Sequence, residues 1–152
     1  MAIPGVNAST VHTMLSAIGL ELRQWPQAKA FCSWLGLAPQ HEISGGKIWR
    51  RSPRKTRHRA GQAFRLAAPA VSRRQNSLGA FSRHLRARVG PQAAIVATAH
   101  KMARLVDHWR TPRTPFRDLS AAAYERRTRE RDIAAWRNKA LRFGFTLVES
   151  PA

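Results

Sequence analysis

Acidic side chains are scarce in this sequence. Its 152 residues hold 8 Asp or Glu against 27 Lys or Arg, a formal net charge of +19. The only carboxylates are Glu21, Glu42, Asp107, Asp118, Glu125, Glu130, Asp132 and Glu149, too dispersed to read as a carboxylate metal centre. Cysteine occurs once, at Cys32, which excludes an internal disulfide and a multi-cysteine zinc site. No apolar run approaches the ~18 residues of a spanning helix, and the first residues lack a basic-then-apolar signal segment. The expectation is therefore a cytoplasmic protein, neither membrane-embedded nor secreted. Walker loop, dinucleotide fingerprint and Gly-x-Ser-x-Gly elbow are all missing, so nothing points to a nucleotide-binding enzyme or an α/β hydrolase. There is no internal repeat and no low-complexity tail.

What is present is positive charge, unevenly placed. Residues 1–46 are neutral, with Arg23 and Lys29 against Glu21 and Glu42. Residues 47–74 carry ten basic side chains and no acid: Lys47, Arg50, Arg51, Arg54, Lys55, Arg57, Arg59, Arg65, Arg73 and Arg74. Ten like charges repel unless something negative neutralises them, and arginine suits bidentate contact with phosphate. The favoured partner is a nucleic-acid backbone, so the protein is expected to associate with the nucleoid. A solubilising or targeting run is the alternative. Around Glu125 to Asp132 the two signs alternate, as in a solvated helix laced with i,i+4 pairs.

With 43% apolar residues the chain can build a core, and its periodicity is mainly α-helical. Ile3-Pro4-Gly5-Val6-Asn7 reads as a tight turn before a helix capped by Ser9 or Thr10 and stopped at Gly19. Together these form a helix-hairpin-helix-like element in which Gly5 lets the backbone approach a phosphate; an ordinary turn before a helix fits the same residues. A short helix is predicted over 26–35, then loop over 36–54, with Pro39, Gly45-Gly46 and Pro53 as breakers. Further helices are predicted over 56–68 (ended or kinked by Pro69), 77–89, 92–110 and 120–143. In the last of these, Ile133, Trp136, Ala140 and Phe143 recur at spacings of 3, 4 and 3. Phe145-Thr146-Leu147-Val148 has the composition of a short terminal strand, although isolated strands are marginal. The residues divide into a helical domain over 1–110 and a C-terminal helical extension over 111–152.

Ser44-Gly45-Gly46-Lys47 stands where the neutral front meets the basic segment. A serine beside two glycines is accessible, and dense positive charge can bind a phosphodiester or stabilise a developing oxyanion. The same four residues are also plain linker composition. The six histidines show no tight pairing with Cys or Asp, so no metal site is expected. Cys32 is read as a small core residue, and the five tryptophans as mostly core. Trp49, among Arg50, Arg51 and Arg54, is the exception that can stack on a base.

Taken in order, these segments resemble the C-terminal domain of the IS110/IS1111-family transposases. The likeness rests on Ile3-Pro4-Gly5-Val6, Trp34-Leu35-Gly36-Leu37-Ala38-Pro39, Ser44-Gly45-Gly46-Lys47 and the run from Arg59 to Ala68. It continues through Leu78-Gly79-Ala80-Phe81, Arg86-Ala87-Arg88, Ala97 to Arg104, Tyr124-Glu125 and Leu141 to Phe145. The resemblance implies a DNA recombinase of insertion sequences in which a RuvC-like domain carrying acidic Mg-binding residues precedes a serine-bearing helical domain. The family serine falls on Ser44, with Gly5, Gly45, Gly46, Lys47, Arg50, Arg51, Arg54, Lys55, Arg57 and Arg59 as DNA-binding residues. It also implies DNA as partner, a structured guide RNA in some members, and a homo-oligomer at full length. No cofactor is assigned to this chain itself. Two departures stand out: the carboxylate-bearing domain is missing, and the segment before Tyr124 lacks the family's Gly-x-x-Tyr pattern. The expectation is a truncated or split transposase that binds DNA without recombining it alone. A catalytically inert DNA- or RNA-binding module and a ribosome-associated basic protein are the competing readings.

Overall fold

The computed structural model describes residues 6–19, 25–45, 47–53, 58–109 and 120–148. Among the described residues there are six helices, the first five of which enclose an apolar core: α1 (Ala8–Ile18), α2 (Ala28–Trp34), α3 (Arg59–Ser72), α4 (Ser77–Val89), α5 (Pro91–Trp109) and α6 (Ala121–Arg142). Between α2 and α3 runs a two-stranded antiparallel hairpin, β1 (Pro39–Ser44) and β2 (Lys47–Pro53). The architecture is mainly α, as the periodicity predicts.

Local chemistry sets most boundaries. Asn7, rather than Ser9 or Thr10, caps α1: its Oδ1 accepts from the Thr10 amide at 2.8 Å. Asn76 caps α4 in the same way, accepting from the Gly79 amide at 2.8 Å. Gly19 and Gly90 end α1 and α4 with φ of 75° and 85°, a backbone that side-chain-bearing residues resist. Pro91 then opens α5, where its missing N–H costs nothing.

Pro69 neither ends nor visibly terminates its helix, because α3 continues to Ser72. Packing outweighs the lost hydrogen bond: Ala67, Ala68 and Val71, on both sides of the proline, are all buried. The Arg83 guanidinium also donates to the carbonyls of Ser72 and Arg74, both at 3.0 Å, closing the end of α3.

The core gathers Phe31, Cys32, Leu35 and Leu37 from α2 and its exit, Phe64 and Val71 from α3, and Thr98 and Met102 from α5. Trp25 joins it, but Trp34 is 37% and Trp136 61% exposed, so the tryptophans are not uniformly core. α6 rests on α4 near its first turns. There the Tyr124 ring meets Phe81 edge-on at 6.4 Å, and the Lys101 ammonium sits 3.9 Å from the Phe81 centroid.

Two expectations are corrected. Residues 39–44 and 47–53 form strands where loop was predicted: Ile43, Ile48 and Trp49 favour extended backbone, and Gly45, at φ 58°, starts the turn between them. Residues 145–148 form no strand. α6 instead finishes in a Schellman turn, with Gly144 at φ 79° and the Phe145 amide donating to the Ala140 carbonyl at 2.9 Å. The described sheet has two strands, β1 and β2, and residues 145–148 are not part of it. No helix among the described residues is long and apolar enough to cross a membrane. Of the helix-hairpin-helix-like element, Ile3, Pro4 and Gly5 lie outside the described residues.

Candidate functional site at the hairpin tip

The hairpin projects Ser44 at its end. Ser44 is the last residue of β1, Lys47 the first of β2, and the two are register partners across the turn. Both Ser44 and Gly45 are exposed. Gly45 has φ 58°, the left-handed backbone that a two-residue hairpin turn demands and glycine adopts without strain. The serine therefore stands beside a tight turn, not in a slack linker. Below it, Ile43 faces Ile48, and a bulge between Glu42 and Ile43 shifts the register so that Glu42 opposes Arg50 and His41 opposes Arg51. The basic strand thus has an acid opposite it, which the charge count by segment does not reveal.

The root of the hairpin is rigid. Leu35 and Leu37 are 1% exposed, anchoring the chain just before β1. The Arg65 guanidinium donates to the Gly36 carbonyl at 2.7 Å, tying α3 to that exit. Where the chain re-enters α3, the His58 imidazole lies 3.9 Å, centroid to centroid, from the Trp34 indole. Burial lowers the His58 pKa from its ordinary value of 6.5. Its Nδ1 is buried without a hydrogen-bond partner, which disfavours a second proton there. Neither His58 nor Arg65 was singled out as a site residue. Their signal, a His three residues before a helical Gly and an Arg one turn after it, is too generic to stand out.

The described part of the basic segment is spread along the fold. Arg50 and Arg51 lie on β2 opposite β1, and Arg59, exposed, begins α3. Arg65 is drawn inward to Gly36, whereas Arg73 and Arg74 sit exposed at the far end of α3, roughly 20 Å away along a 14-residue helix. The first turn of α3 carries no acid, and His58 makes no side-chain cap, so the positive end of that helix dipole faces the hairpin root uncompensated. Gly5, Gly46, Arg54, Lys55 and Arg57 lie outside the described residues.

Other nucleophile and metal candidates fall away. Cys32 is fully buried, and its thiol is pushed up to about 11, chiefly by burial, with Arg104 opposing and Asp107 adding to the effect. It is a protonated core thiol at neutral pH. Among the described residues no three His, Cys, Asp or Glu side chains gather to hold a metal ion. His100 is half-buried on α5, with its pKa lowered by burial and then by Arg104.

Comparison with known protein families matches residues 1–83, more than half of the chain and the whole of the hairpin, to the Transposase IS116/IS110/IS902 family. Comparisons with curated proteins and with solved structures give no match.

Proposed function

This chain belongs to the Transposase IS116/IS110/IS902 family, with a role in transposition, and on that premise we propose that it binds DNA and presents Ser44 to a phosphodiester. The observation that carries the reading is the placement of one exposed serine at a glycine turn, cross-strand from Lys47, the first residue of a basic strand. Lys47, Arg50, Arg51 and Arg59, with Arg54, Lys55 and Arg57, hold the backbone, while Gly45 and Gly46 keep side chains out of its way.

The chemistry is a phosphoryl exchange. The Ser44 Oγ bonds to phosphorus, one deoxyribose oxygen leaves with a proton, and a phosphoserine ester retains the energy of the broken diester. A second sugar hydroxyl reverses the exchange and reseals DNA without an external energy source. Stabilising the extra negative charge of the pentacoordinate transition state is the task for the basic side chains. The Mg-binding carboxylates that the family resemblance implies do not fit the donors described in this chain, and no step is assigned to a metal here.

The test uses DNA with a nicked, trapping element end, incubated with this chain and a separately supplied acid-rich family domain. Ser44→Ala is expected to abolish the covalent protein–DNA adduct while leaving equilibrium affinity within about twofold. An adduct that survives Ser44→Ala removes the nucleophile assignment. A chain that never forms one, yet binds DNA, is the inert binding module.

A further inference from the structure

Ala93, Ala97, His100, Arg104 and His108 recur along α5 at spacings of 4, 3, 4 and 4, so they share one face of the helix, and all five line a single open groove. Ala28 of α2 and Leu37 border it, as do Phe81 and Val89 of α4. The groove holds about 1430 Å³, above the ~300–1,000 Å³ usual for a small-molecule pocket. From Pro91 to His108 it follows α5 for roughly 26 Å, the length of a helix of about 17 residues.

The two halves of the groove differ in chemistry. Towards the start of α5 the lining is apolar: Val89, 47% exposed, then Ala93, Val96 and Ala97. Towards the end it is cationic. Lys101 and Arg104 carry the charge there, and no ion pair of either is found among the described residues. Lys101 is half-buried, and its ammonium contacts the rings of Phe81 and Tyr124, 3.9 and 5.2 Å from their centroids. Burial, then Arg131 and Arg104, lower its pKa. Asp107, the one acid of the lining, already has a partner. A cation half removed from water and set beside like charges is stabilised by an anion brought to it.

Magnitudes decide the occupant. A nucleic-acid strand sets one phosphate every ~3.4 Å, so roughly seven or eight would lie along the groove, over two unpaired cations and an apolar floor. A helix with two or three acids at one end and an apolar face at the other matches both halves. No helix of this chain has that make-up. α1 to α4 contain no acid, α5 contains Asp107 alone, and the acids of α6 alternate with Arg126, Arg127, Arg129 and Arg131. A second copy therefore offers no such helix. We propose that the groove docks an acidic amphipathic helix of a different protein, antiparallel to α5, with the acids of its first two turns on Lys101 and Arg104 and its apolar residues over Val89, Val96 and Ala97. Acids are stabilised at a helix N-terminus, and antiparallel neighbours align their dipoles favourably, so both effects select this polarity. Nothing in this inference depends on the role given to Ser44.

The test titrates the intact chain into a labelled synthetic peptide of about 17 residues and follows fluorescence anisotropy. The peptide carries glutamates in its first two turns and leucine and alanine at i, i+3 and i+4 beyond them. In ~0.15 M salt, which screens long-range attraction to a +19 chain, it is expected to bind about tenfold or more tightly than a shuffled peptide of the same composition. Ala93→Glu at the apolar end and Arg104→Glu at the cationic end should each weaken it about tenfold or more. Arg104→Glu should in turn bind more tightly than the native chain to a peptide with lysines in place of the glutamates. Ala93 and Arg104 are exposed, and an acid suits the first turn of a helix, so thermal unfolding of both variants should match the native chain. No preference over the shuffled peptide, full affinity in Ala93→Glu, or no gain for the lysine peptide overturns the proposal. So does a single-stranded oligonucleotide of about eight nucleotides that displaces the peptide and loses affinity in both variants, which would make the groove a strand channel instead.

Discussion

Gly61 is held against the carbonyl of Leu35 so closely that a Cβ at position 61 would lie 2.1 Å from that oxygen. The contact joins the first turn of α3 to the exit of α2, the two points between which the hairpin leaves and returns. Backbone lies on both sides, so neither neighbour can swing aside. Gly61→Ala is expected to destabilise the fold by about 1–3 kcal/mol, as overpacking of a closed core does. Urea denaturation checks it; an unchanged midpoint would mean that the hairpin root is not rigid.

DNA affinity should depend steeply on salt. Arg50, Arg51, Arg54, Lys55 and Arg57 are proposed to lie on phosphates, and five such contacts give a slope of log K against log salt of about −4 to −5. Each Arg→Gln change among them should flatten the slope by about one. An affinity indifferent to salt is incompatible with backbone recognition.

Stability should fall on mild acidification. His58 and His100 both have pKa values lowered by burial from 6.5, so at acid pH the unfolded chain binds protons that the folded chain refuses. Their contribution is fully present above 6.5 and is lost as pH falls through the lowered values. Melting temperature measured between about pH 8 and pH 5 should decline in the lower half of that range, and His58→Gln should make the decline shallower. A flat profile would show that neither ring is desolvated in solution.

The Cys32 thiol should be inert in the native chain. A group at about 11 instead of 9.0 carries roughly 100-fold less thiolate near neutral pH, and Cys32 is also fully buried. Labelling by an aromatic disulfide reagent at about pH 8 should track unfolding, accelerating only in denaturant. Prompt labelling of the folded chain would contradict the packing of α2 on α5.

Several features were legible without coordinates because their causes lie within a few residues. The helix predicted over 77–89 and stopped at Gly90-Pro91, and the apolar period of residues 92–110, match α4 and α5 within one residue at each end. The acid-poor composition, the basic segment after Ser44 and the order of the family motifs are likewise properties of the chain alone. The hairpin was not legible as strands, because Pro39, Gly45, Gly46 and Pro53 give strong local loop signals and strand pairing is a relation between two segments. For the same reason the ten basic residues read as one patch until the fold sent Arg65 inward and Arg73 and Arg74 to the opposite end of α3.

The sequence by itself determined that this is a mainly helical, strongly basic member of a transposase family, with a serine and two glycines just ahead of a cationic run. Only the tertiary structure decided that the serine stands at the tip of a clamped hairpin, that α3 passes through Pro69, and that the Trp136–Phe143 stripe lies outside the core. The physical reason is range. Caps, turns and net charge are set by neighbours along the chain, whereas which apolar face is buried, and which charge has a partner, depends on what the rest of the fold places beside it.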